Sequence, residues 1–161
     1  MTLKNSFFLV VLLLFLVSCD KKRVFDEYKT VGQNWHKDSI VSFTFEQKDT
    51  LTKQNLFINI RNNKNYPFNN LFLIVEMEHP SKKTLVDTLE YKMAKPDGTL
   101  LGEGLSDTKE NKLFYKENFV FKNSGQYKVT IQQAVRQSGK IEGIEKLDGI
   151  TEVGFRIEKQ E

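Results

Sequence analysis

The chain has 161 residues, of which 39% are hydrophobic and 28% are charged, and its formal net charge is +3. This length allows one domain with a substantial core, and the nearly balanced charge does not favour a nucleic-acid-binding protein. A single cysteine excludes an intramolecular disulfide, so stability must come from packing, for which 13 phenylalanines and 5 tyrosines supply the bulk.

An apolar segment near the N-terminus predicts export. Lys4 is followed by an uninterrupted apolar run over residues 7–17, which is shorter than the roughly 20 residues that a membrane-spanning helix needs. This pattern is typical of a secretory signal peptide. Residues 16–19, Leu-Val-Ser-Cys, are similar to the lipobox of bacterial lipoproteins, in which the cysteine is acylated and becomes the first mature residue. We therefore predict a signal peptide over residues 1–18 and a lipid on Cys19; an ordinary signal peptide with a chance cysteine is the alternative.

Residues 19–34 are predicted to be a lipid-anchored tether. Asp20 is followed by three cations at residues 21–23, a composition that suits a solvated linker. As an alternative, these cations contact anionic lipid head groups. Val24, Phe25 and Tyr28 are candidates for the first contacts between the tether and the domain.

From residue 38 onward, apolar residues alternate with polar ones at the period of two that is typical of β-strands. The pattern begins with Val41, Phe43 and Phe45. Later strands are predicted at residues 55–61, 68–78, 84–91, 113–121, 127–136 and 153–157, with a long connection over 99–112. About seven to eight strands at nearly regular spacing predict an all-β fold, namely a single antiparallel β-sandwich domain of Ig-like or C2-like type over residues 35–161. A barrel is the second choice.

The sequence offers little catalytic equipment. His36 and His79 are interpreted as exposed residues at strand ends, and a cysteine taken by lipid leaves no thiol nucleophile. The ligand spacing predicts no metal site, and turn formation explains the asparagines of residues 62–70 better than calcium binding does. We therefore predict no enzyme activity, catalytic residue, metal or cofactor. A hydrolase remains an alternative that requires a buried His36 with a partner acid.

Several short stretches spread over the mature chain are weak singly and specific as a set. They are RVFDEY (23–28), WHKD (35–38), FTF (43–45), LFINIRNN (56–63), YPF (66–68), NLFL (70–73), DTLEY (87–91), MAKPDG (93–98), LGEG (101–104), SGQY (124–127), QQAVR (132–136) and GITEVG (149–154). Together they resemble the gliding motility lipoprotein GldH family of Bacteroidetes.

The resemblance implies a role in gliding motility, in association with the type IX secretion apparatus. It implies no catalytic residues, and only Cys19 is carried over as a functional position. Surface-exported lipoproteins of these bacteria carry an acidic signal just after the cysteine, whereas residues 20–23 are mostly basic. We therefore expect the periplasmic face of the outer membrane, membrane attachment through Cys19, gliding or secretion proteins as partners, and no nucleic acid.

The favoured hypothesis is a non-catalytic interaction or scaffold protein that makes its contacts through the loops at residues 62–68 and 93–104, which hold more residues than plain turns need. The candidate contact residues are Asn62, Tyr66, Phe68, Lys95 and Asp97. The alternative is a periplasmic lipid-anchored module that binds a glycan or peptidoglycan fragment through an aromatic patch with Trp35 or Tyr66.

Overall fold

The structure is a computed structural model that describes residues 20–104, 107–137, 139 and 141–160. The predicted signal peptide over residues 1–18 and the predicted lipid site at Cys19 lie outside these residues. Within them there is no helix that is long and apolar enough to cross a membrane.

Ten strands account for the regular structure of the described residues. They are β1 Arg23–Thr30, β2 Asn34–His36, β3 Val41–Gln47, β4 Gln54–Asn63, β5 Asn70–Glu78, β6 Thr84–Lys92, β7 Thr108–Phe119, β8 Gly125–Gln133, β9 Lys146–Asp148 and β10 Ile150–Lys159. All pairings are antiparallel. The first sheet has the order β1-β10-β4-β7, the second has the order β3-β8-β5-β6, and β2 pairs with β9. The predicted all-β antiparallel sandwich is confirmed.

The core lies between the two four-stranded sheets, and the period of two decides which side chains enter it. Val41, Phe43 and Phe45 of β3 are buried as the alternation predicts, and so are the inward residues of β4. Aromatic rings join the two sheets: the ring of Phe45 lies 5.9 Å from that of Phe155 in the first sheet and 5.8 Å from that of Tyr127 in the second. Such ring pairs add to the stabilisation that comes from the buried apolar area.

The tether predicted over residues 19–34 is wrong for most of its length, because β1 is an edge strand of the first sheet. It pairs with β10 from Arg23–Glu158 to Thr30–Glu152, and the Phe25 ring packs 5.2 Å from Phe45. The alternation of β1 is hidden because the charged Glu27 and Lys29 share the face of Phe25 and lie opposite Phe155 and Val153 of β10. On the outer face, Asp26 forms an ion pair with Arg156 at 2.6 Å.

The long connection predicted over residues 99–112 is also shorter, because β7 begins at Thr108. Its first residues are polar and therefore lack an apolar period. They are matched across the sheet by polar residues of β4, since Glu110 lies opposite Arg61. The short strands β2 and β9 were not predicted, because three residues are too few to show a period.

The topology gives the sandwich two ends. At one end lie residues 20–22, 48–53, 79–83, 120–124 and 159–160, and we call this end the proximal pole because the described chain begins there. The described residues of the connections 31–33, 37–40, 64–69, 93–104, 107, 134–137, 139 and 141–145 lie at the opposite end, the distal pole. Strand pairing fixes this division, because β1 starts opposite the end of β10 and the Gln47 and Gln54 side chains bond at 3.1 Å between the sheets.

Candidate interaction surfaces

The first predicted contact loop, residues 62–68, lies at the distal pole, but two of its predicted contact residues face inward. Asn62 is fully buried, and its Oδ1 accepts a hydrogen bond from Asn111 Nδ2 at 2.8 Å. Tyr66 is only 5% exposed, and its hydroxyl donates to the Asn70 carbonyl at 2.6 Å. The expectation that these two side chains form a contact surface is therefore wrong. Phe68 is half-buried, with its ring 6.0 Å from that of Tyr66.

The turn between β4 and β5 explains why Tyr66 is drawn inward. Asn63 Oδ1 accepts from the Asn65 amide at 2.9 Å, and the Asn63 carbonyl accepts from the Tyr66 amide at 3.0 Å. The turn packs directly on Gly149, which has a φ of +80° and whose Cβ, if present, would lie 2.2 Å from the Tyr66 nitrogen. Asn63 therefore stabilises the turn through both its side chain and its carbonyl.

The second predicted contact loop begins with a tight hairpin that projects from the distal pole. Its base is buried at Ala94, whereas Lys95 and Asp97 are exposed. The Lys95 carbonyl accepts from the Gly98 amide at 2.9 Å, and Asp97 Oδ1 accepts from the Thr99 amide at 2.9 Å. Hydrogen bonds from Thr99 hold the pKa of Asp97 below its usual range, so the tip of the hairpin keeps its negative charge.

The described residues after the hairpin lie flat along β7 and form the wall of two open clefts. Glu103 and Glu110 exchange backbone hydrogen bonds of 2.8 Å in both directions. Gly102 allows this approach, because a Cβ there would lie 2.7 Å from the Glu110 carbonyl oxygen. The clefts measure about 630 and 570 Å³ and share Glu103, Gly104 and Glu110 in their walls.

A polar network covers the distal half of the first sheet's outer face and borders the second cleft. The Tyr28 ring lies across β10 at Gly154, and its hydroxyl donates to Glu110 Oε1 at 2.8 Å. Arg61 donates to Glu110 at 2.9 Å and to Glu152 at 2.6 Å, and its guanidinium lies 4.3 Å from the Tyr28 ring centroid. Burial, with the hydrogen bond to Glu110, raises the pKa of Tyr28 far above neutrality, so its hydroxyl remains a donor.

A second network lies nearer the proximal pole and is centred on Arg156. This guanidinium donates to Asp26 and Glu158 at 2.6 Å each and also pairs with Asp20. Lys112 donates to Glu158 at 2.7 Å. Burial opposes the ionisation of Glu158, but the hydrogen bonds from Lys112 and Arg156 outweigh it and lower its pKa.

The key residues of the two alternative functions, a glycan-binding module and a hydrolase, are not arranged as those functions require. Trp35 is fully buried, and its Nε1 donates to the Ser39 carbonyl at 2.7 Å, so it packs in the core and not in a glycan-binding patch. His36 is not buried, as a hydrolase centre would require, but has 34% of its side chain exposed. It lies 3.4 Å from Glu145 and 3.6 Å from Asp38. Across the described parts of the chain, no cluster of three or more His, Cys, Asp or Glu side chains is placed to hold a metal ion.

Comparison with known proteins identifies the family. The sequence profile of the GldH lipoprotein family matches residues 23–157. The chain belongs to the GldH lipoprotein family. It is similar to the gliding motility lipoprotein GldH of Flavobacterium johnsoniae, with 62% identity over the whole of both chains. It is also similar to the gliding motility lipoprotein GldH homolog of Christiangramia forsetii, with 53% identity over 98% of this chain and 96% of that one.

Solved structures show more distant likeness. A family GH115 4-O-methyl-α-glucuronidase matches 89% of this chain with a TM-score of 0.45 and 12% identity. The chain spans 18% of the length of that enzyme. A likeness at this level bears neither on the function of this GldH-family chain nor on its detailed fold.

The sequence analysis missed the two networks on the first sheet. They join residues from four strands that are far apart in the chain, such as Tyr28 with Glu110 and Arg156 with Asp26. One signal was present, because Gly154 interrupts an otherwise well-patterned strand, and a glycine inside a strand often marks a close approach. Here the approaching group is the Tyr28 ring.

Proposed function

We propose that this chain is an outer-membrane lipoprotein that is required for gliding motility as a non-catalytic contact component of the gliding and type IX secretion machinery. Its family membership over residues 23–157, together with full-length similarity to a gliding motility lipoprotein, carries the proposal. The single cysteine, which follows an apolar signal-like run, is the position of the lipid anchor. The mostly basic residues 20–23 favour the periplasmic face.

The geometry supports a contact role through the separation of the two poles. Cys19 directly precedes the proximal pole, whereas Lys95, Asp97 and the clefts beside Glu103 lie toward the distal pole. A protein that is anchored at one end and presents exposed loops at the other is suited to contact a partner away from the bilayer. These distal loops are therefore the proposed partner-binding surface.

Deletion of the gene tests the proposal when spreading on agar and the secreted proteins are measured in the same strain. We expect spreading to fail and a plasmid copy of the wild-type gene to restore it. Loss of secreted adhesins together with spreading would assign the protein to secretion, whereas normal secretion with failed spreading would assign it to motility downstream of export. Normal spreading in the deletion strain would contradict the proposal.

A further inference from the structure

The proximal pole carries a concentration of positive charge that the net charge of the chain conceals. Its connecting segments place many exposed cations at one end of the sandwich: Lys21, Lys22, Arg23, Lys48, Lys53, Lys82, Lys83, Lys122 and Lys159. The described connections of the distal pole carry both signs of charge: the acidic residues Asp38, Asp97, Glu103, Asp107, Glu142 and Glu145 lie there with the cations Lys37, Lys64, Lys95 and Arg136. The excess of positive charge is therefore confined to the proximal pole, and the distal pole is nearly balanced.

The two acidic residues in these proximal connections are engaged by local partners. Asp20 pairs with Arg156 of β10. Asp49 accepts hydrogen bonds from the amides of Leu51 and Thr52 at 3.0 Å each, and from the Thr52 hydroxyl. These bonds fix the turn between β3 and β4, so the loop is held in one conformation by its own aspartate.

This fixed turn presents a large apolar side chain to solvent. Leu51 is 87% exposed, and Lys48 and Lys53 flank it on either side. The Lys53 carbonyl accepts from the Gln160 amide at 3.2 Å, and the Lys159 amide donates to the Lys22 carbonyl at 2.9 Å. The exposed leucine is thereby held beside the first described residues of the chain. An apolar residue among lysines is the composition of surfaces that enter the interface of anionic bilayers.

The predicted site of lipid attachment, Cys19, immediately precedes in sequence the first described residue of this pole. Cys19 is bonded directly to Asp20, and consecutive Cα atoms are about 3.8 Å apart. Asp20 is fixed to β10 through Arg156, and regular pairing of β1 begins at Arg23. A lipid on Cys19 would therefore hold this end of the sandwich against the bilayer with almost no free linker.

We propose that the proximal pole is a membrane-docking surface. Leu51 enters the bilayer interface, the surrounding lysines contact anionic phospholipid head groups, and the sandwich stands with its distal pole away from the membrane. The proposal rests on the lipid anchor at Cys19 and extends the proposed function, because it fixes the direction in which the contact loops point.

A pair of probe positions tests this orientation in the full-length lipidated protein, reconstituted into vesicles of phosphatidylethanolamine and phosphatidylglycerol. An environment-sensitive fluorophore is attached through Leu51→Cys or, as the matched control, through Ile141→Cys. Both residues are large, apolar and highly exposed, at 87% and 90%, but Ile141 lies at the distal pole. We expect the emission of the probe at residue 51 to shift to the blue and to be quenched by nitroxide-labelled lipids. The emission of the probe at residue 141 should remain that of a fluorophore in water and should not be quenched.

Charge reversal tests the role of the lysines. In the Leu51→Cys protein, Lys53→Glu with Lys122→Glu should reduce lipid quenching, because each cation near an anionic surface contributes roughly five-fold to binding. Lys95→Glu at the distal pole is the control and should leave the quenching unchanged. High salt should act like the double variant, because screening weakens contacts between exposed charges.

The outcomes separate the anchor from the docking surface. If the protein floats with the vesicles but the two probes report the same environment, the docking proposal is overturned while the anchor stands. Equal quenching before and after the double reversal would overturn the role of the lysines. If the protein carries no acyl chain and does not float with the vesicles, the proposed anchor at Cys19 is wrong. The docking proposal, which depends on that anchor, is then overturned as well.

Discussion

Tyr28 and Gly154 form a pair in which a missing side chain makes room for a ring. A Cβ at residue 154 would lie 2.9 Å from two carbons of the Tyr28 ring and 3.1 Å from the Asn59 Cβ. The ring can therefore cross β10 and reach Glu110 only because residue 154 is glycine. Tyr28 in turn supports Arg61, whose guanidinium lies over the ring and bonds Glu110 and Glu152.

We predict that Gly154→Ala lowers the free energy of unfolding by about 1–3 kcal/mol, because the added methyl group overpacks the contact with Tyr28. Urea denaturation measures this change. Gly143→Ala is the matched control and should have little effect, since the nearest atom to its Cβ would be 3.6 Å away. Gly154→Ala should cost less unfolding free energy in the Tyr28→Ala protein than in the wild type. Equal costs in the two proteins would show that the Tyr28 ring is not the cause.

Arg156 is the residue on which the second network depends. Its side chain is 16% exposed, and its partners Asp26 and Glu158 are 17% and 12% exposed. We predict that Arg156→Met costs about 2–4 kcal/mol of unfolding free energy, because it removes the cation that pairs with the partly buried Asp26 and leaves Glu158 with Lys112 alone. Lys82→Met removes the ion pair between Glu78 and a lysine whose side chain is 85% exposed, and it should destabilise the fold far less than Arg156→Met does. Similar losses for the two variants would contradict this account.

The same network predicts a dependence of stability on pH. The pKa of Glu158 lies below its ordinary value of 4.5 in the folded chain, so the unfolded chain takes up a proton first as the pH falls. Stability from this group is complete above pH 4.5 and is lost as the pH falls through the folded pKa. Urea denaturation from pH 6 to about pH 3 should therefore show a steeper loss for the wild type than for Arg156→Met. Parallel curves would contradict the prediction.

At the scale of elements, β1 is the strand that sequence analysis mistook for a tether. Its inward residue Phe25 packs 5.2 Å from Phe45 and 6.2 Å from Phe155, so the strand helps to close the core. The apolar pattern of the strand is short because Glu27 and Lys29, which share the face of Phe25, are charged. An edge strand with few buried side chains resembles a charged linker until its partner strand is known.

Two neighbouring substitutions test whether β1 belongs to the domain. Phe25→Ala should lower the unfolding free energy by about 2–4 kcal/mol, because it removes a ring packed against the core. Val24→Ala should change it by less than about 0.5 kcal/mol, because Val24 is 40% exposed. Both changes are measured by urea denaturation. If neither substitution changed the unfolding free energy, β1 would not contribute to the stability of the domain, as expected of a tether.

The strands with clear alternation were predictable, and the candidate site was predictable only in part. Val41, Phe43 and Phe45 marked β3 because each inward residue is apolar and each outward one is polar. The hairpin with Lys95 and Asp97 was found because proline, aspartate and glycine specify a turn. Asn62 and Tyr66 were misplaced because turn-forming composition does not reveal which side chains fold back into the core.

At the scale of the whole molecule, the two poles have different proposed tasks, membrane docking and partner binding. The proximal pole holds the basic residues and Leu51, next to the predicted lipid site. The distal pole holds the exposed hairpin and the clefts beside Glu103 and Glu110. No single strand determines this arrangement, because in the two antiparallel four-stranded sheets the connections between successive long strands alternate between the two ends.

The most direct measurement is the spreading of a strain whose only copy carries Lys95→Glu with Asp97→Asn. Asparagine keeps the Oδ1 acceptor for the Thr99 amide, so the hairpin should fold while its surface charges change. The control is Glu46→Gln with Gln126→Glu, which exchanges facing residues on the second sheet. At equal levels of lipidated protein, we predict that spreading fails for the hairpin variant and persists for the control. Normal spreading of the hairpin variant would contradict the claim that the distal pole contacts the motility machinery.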